Sequence, residues 1–285
     1  MAGRVSFRPS PETCFAVGDC RHFVPAQPTP RQSRLLAALP QQEYQRLVPD
    51  LEPCPLPLGW TIHDAGDSER YLYFITTGIV SRFYVTASGA SAEFAVTGNE
   101  GVIGIAAFLG GGSTISRAVV LSPGYSYRLR AVRLQQVFER DGPLPRLLLR
   151  YTQALIAQIG VISACKRHHT LEQRLSRWIL SCLDRLPTNE IALTQELIAD
   201  MLGVRREGVT EAVGKLQKAG LIHSSRAHIV VVDRPALEAH ACGCYAVIKR
   251  EYDGLLADYR HADVPSRAHP VTRGHAFPQQ SEVCV

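Results

Sequence analysis

No segment of this 285-residue chain approaches the unbroken apolar run of about 20 residues that a membrane span needs. No membrane partner is therefore expected. The start, MAGRVSFRPSPETC, lacks the apolar block of a secretory signal, so a cytoplasmic location is the default expectation. The eight cysteines include no C-x-x-C pair, the spacing zinc and cluster sites favour. Cys14 and Cys20 have five residues between them, and Cys242 and Cys244 flank Gly243. They read as unpaired reduced thiols, with redox or cluster ligation as the alternative, and no metal site is assigned. Also missing are G-x-S-x-G, a Walker loop, H-E-x-x-H and a paired-carboxylate motif. GNEGVIG resembles a dinucleotide loop only superficially, because no β-α-β unit surrounds it. Enzymatic activity is not expected. The chain shows no internal repeat.

What the chain does have is 46% hydrophobic and 20% charged residues, the balance of a globular protein long enough for more than one core. Its net charge of +5 is mildly basic and compatible with a polyanionic partner. Residues 1–30 hold several prolines and little periodicity and read as a flexible arm. The pattern LLAALPQQEYQRLV suggests short helices broken around Pro40. Strand-like runs with glycine turns follow, among them YLYFITTGIVSRFYV, AEFAVTGNEGVIGIAAF and SRAVVLSPGYSYRLR. They predict a compact β-roll over 31–142.

After Gly142 the apolar period becomes helical. Leu144, Leu147, Tyr151, Leu155 and Ile162 form a stripe on a long helix over 143–168. Apolar residues outside that stripe predict a second partner, the same helix of another subunit. His168-His169 at its end reads as a surface corner, while Cys165 and Cys182 read as small core residues. Residues 169–250 carry further helices and the strand pair GLIHSSRAHIVVVD; the helical pattern ALEAHACGCYAVIKREYDGLLADY follows and fades, and 251–285 reads as a disordered tail.

The stretch LTQELIADMLGVRREGVTEAVGKLQKAGLI concentrates the chemistry. Thr194 can cap a first helix lined inside by Leu197, Ile198, Met201 and Leu202. Gly203 supplies a sharp turn, with Val204 as an apolar plug. A second helix from about Arg205 to Lys218 buries Val209, Ala212, Val213 and Leu216. Its other face carries Arg205, Arg206, Glu207, Thr210, Glu211 and Lys215. An Arg fork can satisfy both major-groove acceptors of guanine, and Glu can accept from cytosine. In the strand turn, Ser224, Ser225 and Arg226 would meet phosphate. The competing reading is a solvated helical hairpin.

LTQELIADMLGVRREGVTEAVGKLQKAGLI and NEGVIGIAAFLGG, in this order of parts, resemble the regulator family of the cyclic-AMP receptor protein and the fumarate–nitrate reduction regulator. The resemblance covers roughly residues 33–250. It implies an α+β fold: an N-terminal cyclic-nucleotide-binding-like β-roll, a long dimerisation helix and a C-terminal winged helix-turn-helix. It also implies a homodimer on two-fold symmetric double-stranded DNA, with RNA polymerase as a further partner. Arg206 and Glu207 match the family's Arg-Glu readers. Glu211 stands where a basic residue is usual, which puts the preferred DNA sequence in doubt. Among cyclic-nucleotide binders, a Gly-Glu pair and an Arg hold the ribose and phosphate. Here the pair is Gly104-Ile105, and Arg117 is the only nearby arginine, one residue out of register. Cyclic AMP is therefore not the expected effector, and no cofactor is assigned. An iron–sulfur cluster and a haem stay open. Cys14 and Cys20 echo part of a cluster spacing, Pro11 stands where a further cysteine would fall, and Cys54 is a distant fourth. His63, His168 and His169 are available to haem. The alternative to a transcription regulator is a ligand-binding or scaffold protein whose helix-turn-helix contacts protein.

Overall fold

The computed structural model describes residues 28–261 except Asp141 and Arg226, with side chains described to residue 256. The expected N-terminal arm (but for residues 28–30), Cys14, Cys20, Arg226, and the tail beyond residue 261 therefore lie outside the described residues. Helices α1 (Arg34–Ala37) and α2 (Gln41–Leu47) come first, broken at Pro40. Strands β1 (Glu52–Leu56), β2 (Thr61–His63), β3 (Tyr71–Val85), β4 (Ser91–Thr97), β5 (Val102–Ile103) and β6 (Arg117–Arg130) follow, with helix α3 (Ala106–Leu109) between β5 and β6. They form one antiparallel sheet in the order β1-β6-β3-β4, with β2 on β6 and β5 on β3.

Strand β3 shows why the sequence rolls up. Its aromatic and β-branched residues suit a pleated surface, and successive side chains point to opposite faces. Tyr73, Ile75 and Val80 fill the inside of the roll with Leu56, Ile103 and Val120. Leu72 and Phe74 face outward into the core shared with the long helix. Both faces are thus covered, which explains a nearly continuous apolar run. Gly104 closes the turn after β5 at φ +103°, where a Cβ would lie 2.2 Å from the Tyr71 carbonyl oxygen.

Helix α4 (Ala131–Glu139) leads into α5 (Pro143–His168), whose proline sits in the first turn, where no backbone donor is lost. The stripe Leu144, Leu147, Tyr151, Leu155 and Ile162 is buried against the roll and against the C-terminal helix. By length and composition α5 could cross a membrane. Its apolar content is accounted for in part by this packing. Leu149, Ile156 and Ile159 lie outside the stripe and are 52%, 58% and 36% exposed.

Helix α6 (Leu171–Leu183) starts at a capping box, with Thr170 accepting from the Gln173 N–H and Gln173 reaching back to the Thr170 N–H. Then come β7 (Glu190–Ala192), α7 (Gln195–Leu202), α8 (Arg206–Lys218), β8 (Ile222–Ser225), β9 (His228–Val231), α9 (Arg234–His240) and α10 (Cys244–His261). Strands β7, β9 and β8 make a small antiparallel sheet beside the helices. The expected disordered tail from residue 251 is corrected in part. Helix α10 runs on to His261, and Tyr252, Leu255 and Leu256 are buried with Ile248 against α5. Their three- and four-residue spacing continues the helical stripe, and the Tyr252 hydroxyl donates to Gln158 Oε1 at 2.7 Å.

The C-terminal unit is docked onto the roll through buried polar groups. Trp178 Nε1 of α6 donates to Glu93 Oε1 at 2.9 Å, and the Ser81 hydroxyl donates to Glu93 Oε2 at 2.6 Å. Ser81 also lies 3.2 Å from Met201 Sδ of α7. Arg185 Nε meets Glu100 Oε1 at 2.7 Å with both side chains buried. Burial opposes the charge on Arg185, but Glu100 outweighs it and holds the guanidinium protonated.

Candidate nucleic-acid interface and effector site

Thr194 caps α7, accepting from the Leu197 N–H at 3.2 Å, with Glu196 in the positively polarised first turn. Gly203 ends α7 at φ +66°, a left-handed conformation that costs glycine little, and Val204 packs against the core beneath it. Ile198, Ala199, Met201 and Leu202 are buried, while Leu197 is half-buried. Helix α8 begins at Arg206, with Arg205 as its extended N-cap residue. Val209, Ala212, Val213 and Leu216 form its buried stripe, as their spacing predicts.

The opposite face of α8 is solvent-facing. Arg205, Arg206, Glu207, Thr210, Glu211 and Lys215 are all exposed. Thr210 Oγ1 donates to Gln195 Oε1 at 2.7 Å, which braces the two helices at that face. Lys215 Nζ is shared between Glu172 Oε1 at 2.6 Å and Glu211 Oε1 at 2.8 Å. These carboxylates raise the Lys215 pKa, and Lys215 in turn lowers that of Glu172. Lys215 is thus tied partly to α6, whereas Arg206 and Glu207 lie at the start of the helix. Ser225 is exposed at the tip of the β8–β9 hairpin, where Ala227 takes φ +68°.

The residues singled out in the roll are engaged elsewhere. Ile105 turns its side chain into the cluster shared with α4 and α5. Arg117, at the first position of β6, gives Nε to Asp64 Oδ1 at 2.9 Å and a second nitrogen to Asp64 Oδ2. The Arg117 hydrogen bond holds the Asp64 carboxyl below its usual range. The Ala106 N–H, next to Ile105, donates to Glu69 Oε2 at 2.6 Å. Burial pushes the Glu69 carboxyl up, a shift this hydrogen bond opposes. His63 Nδ1 lies 3.5 Å from Glu69 Oε1, and burial is the main cause of the fall in its pKa to about 4. Arg82 spans the roll and the long helix, donating to Thr97 Oγ1 at 3.2 Å and the Tyr151 hydroxyl at 3.0 Å.

The cysteines divide in a way the sequence did not reveal. Cys54 and Cys182 are buried in separate cores. Cys165, Cys242, Cys244 and His169 instead converge at the end of α5. His168 is exposed, and its neighbour His169 is half-buried within this group.

A β-roll carrying a long helix and a winged helix-turn-helix with an exposed reading face defines a class: transcription regulators that bind DNA through that helix. Comparison with known sequences agrees. The Crp-like helix-turn-helix domain matches residues 173–240, and the cyclic nucleotide-binding domain matches residues 54–141. The chain belongs to the Crp/Fnr family. A global nitrogen regulator from Nostoc sp. is 24% identical over 181 residues, covering 60% of this chain and 81% of the relative. One from Synechococcus elongatus is 25% identical over 188 residues, covering 63% and 85%. Among solved structures, FixK2 from Bradyrhizobium japonicum has the same fold, with a TM-score of 0.59 at 20% identity over 67% of this chain and 98% of that one. A Crp/Fnr-family protein from Eubacterium rectale gives 0.60 at 17% identity over 74% and 98%. Both of these curated relatives are named as regulators.

Proposed function

We propose that the chain works as a homodimer that reads a two-fold symmetric operator and whose β-roll does not use cyclic AMP. The observation that carries the first part is the face of α8, where Arg205, Arg206 and Glu207 stand exposed at the helix start over a fully buried stripe. Arg206 would take guanine O6 and N7, Glu207 would accept from cytosine, and Arg205, Ser225 and the hairpin turn would set the register on phosphate. Thr210 and Glu211 would line the groove. Lys215, shared with Glu172, would serve more as a brace than as a reader. The second subunit would pack on α5 through Leu149, Ile156 and Ile159, which none of the described residues covers. That pairing would set the two recognition helices about 34 Å apart, one turn of DNA.

The reading of the effector rests on Ile105, Arg117 and Glu69. An isoleucine cannot accept from a ribose hydroxyl, and a buried hydroxyl left unpaired costs about 1–3 kcal/mol. Arg117 is held by Asp64, and the Ala106 N–H is held by Glu69. The protein's own carboxylates thus hold the donors beside Gly104 and Arg117 that a cyclic phosphate would need. RNA polymerase would be the further partner at promoters, and a cytoplasmic location fits that role.

Selection from a random duplex pool, followed by gel-shift stoichiometry, tests this. The expected result is a palindromic site holding two chains, bound with no requirement for cyclic AMP. On that site Arg206→Ala should cost about 1–3 kcal/mol and relax preference at one base pair per half-site. One chain on an asymmetric site, or equal weakening on every sequence, would contradict the dimeric reading or the role of Arg206 respectively.

A further inference from the structure

Cys165 lies in the last turn of α5, and His169, the extended residue that caps its end, gives its N–H to the Cys165 carbonyl oxygen at 3.1 Å. Cys242 and Cys244 flank Gly243 where α9 gives way to α10. The fold brings these two distant pairs together. Cys165 Sγ lies 3.5 Å from Cys242 Sγ, and Cys244 Sγ lies 3.7 Å from His169 Nδ1. The four possible ligand atoms all fall within 4.8 Å of one another.

The 3.5 and 3.7 Å contacts match edges of a coordination tetrahedron, and the rest lie within about an ångström of it. Zinc–sulfur bonds of about 2.3 Å and zinc–nitrogen bonds of about 2.0–2.1 Å place neighbouring ligands about 3.5–3.8 Å apart. A multi-iron cluster spreads its thiolates over several metal atoms and needs wider spacing. A disulfide would join two of the sulfurs and leave the convergence of the other two side chains without a cause.

The surroundings favour a charged sulfur site. Arg177 of α6 is only 2% exposed, and its Nε has no hydrogen-bond partner among the described residues. Its positive charge acts directly on Cys165. Three thiolates and a neutral imidazole on a divalent ion carry one net negative charge, which the buried guanidinium balances.

We propose that Cys165, His169, Cys242 and Cys244 hold one zinc ion in a closed tetrahedral site. Loading converts three thiols to thiolates and releases their protons to solvent, with no change in oxidation state. The ion ties the start of α10 to the junction of α5 and α6, where the long helix meets the DNA-binding unit. Residues 242 and 244 lie beyond the region that matches the Crp-like helix-turn-helix domain.

The full chain, purified under reducing conditions without chelator, should contain one zinc per chain by elemental mass spectrometry. Cobalt should replace it and give the visible ligand-field bands of tetrahedral thiolate coordination. Cys244→Ser and His169→Asn, both at half-buried ligands, should weaken zinc binding more than about 100-fold, since even outer-shell losses cost about 10–100-fold. Cys54→Ser, far from the group, should not. A measurement on the unaltered chain guards against variants that fail to fold. Added zinc should shield Cys165, Cys242 and Cys244 from alkylation in peptide maps, and chelator should expose them. A chain that takes up neither metal overturns the proposal. So would zinc content indifferent to both variants, shielding confined to other cysteines, a Cys165–Cys242 disulfide in the reduced preparation, or an iron chromophore on these side chains.

Discussion

His63 is a buried titratable group whose behaviour can be followed by a simple measurement. It is 7% exposed, its Nε2 has no hydrogen-bond partner among the described residues, and burial with the nearby Arg82 charge lowers its pKa to about 4 against 6.5 in an unstructured chain. Asp67 and Asp64 oppose that fall only partly. Between pH 6.5 and about 4 the unfolded chain binds the extra proton and the folded chain does not, so stability drops as the pH falls through this window. The difference is worth up to about 3 kcal/mol. Replacing His63 with Gln should flatten urea-unfolding stability across that window relative to the unaltered chain. An unchanged pH slope would place the acid sensitivity on other groups. Glu69 acts in the opposite sense. Its carboxyl is raised by burial, so it binds its proton more readily when folded, and its contribution falls as pH rises above the ordinary carboxylate range.

At the scale of elements, α5 has one buried and one exposed apolar face. The stripe from Leu144 to Ile162 belongs to the subunit's own core. Leu149, Ile156 and Ile159 remain on the outside. In the proposed dimer, Ile156→Glu should leave the folded chain intact and shift dimer to monomer in analytical ultracentrifugation, with operator affinity falling in parallel. A dimer that survives the charge would move the interface elsewhere. The apolar period of α5 was readable in the sequence, but which face meets which partner was not, because that depends on where the roll and α10 fall. Helices α7 and α8 were legible in detail because their signals are local: a threonine cap, a glycine turn and a stripe of one period. Strand β7 was missed because three residues, EIA, carry no alternation to detect. The helical spacing of Tyr252, Leu255 and Leu256 was legible in the sequence, but not that these residues pack on α5. The cysteine–histidine group was invisible for a different reason. Its halves lie 77 positions apart at Cys165 and Cys242, and only the return of α10 along α5 joins them.

For the whole molecule, the ion pair between Glu100 and Arg185 fastens the DNA-binding unit to the roll. Both side chains are more than nine-tenths buried. Removing one partner leaves the other charge without compensation, so Arg185→Leu should destabilise the protein by about 3–5 kcal/mol in chemical unfolding. Adding Glu100→Leu should recover much of that loss, since the uncompensated charge then disappears. A double variant as weak as the single one would assign the effect to lost packing around Arg185. The same joint limits how the molecule can respond to a signal. Any rotation of α8 relative to the roll must first separate Trp178 from Glu93 and Ser81 from Met201.

The chain has only two tryptophans, Trp60 in the roll and Trp178 at this joint. Trp178 is fully buried with its indole nitrogen held by a carboxylate. Opening the joint would wet that ring and move its emission toward longer wavelengths. The position of the reading head is therefore written into the protein's own fluorescence, with no label attached.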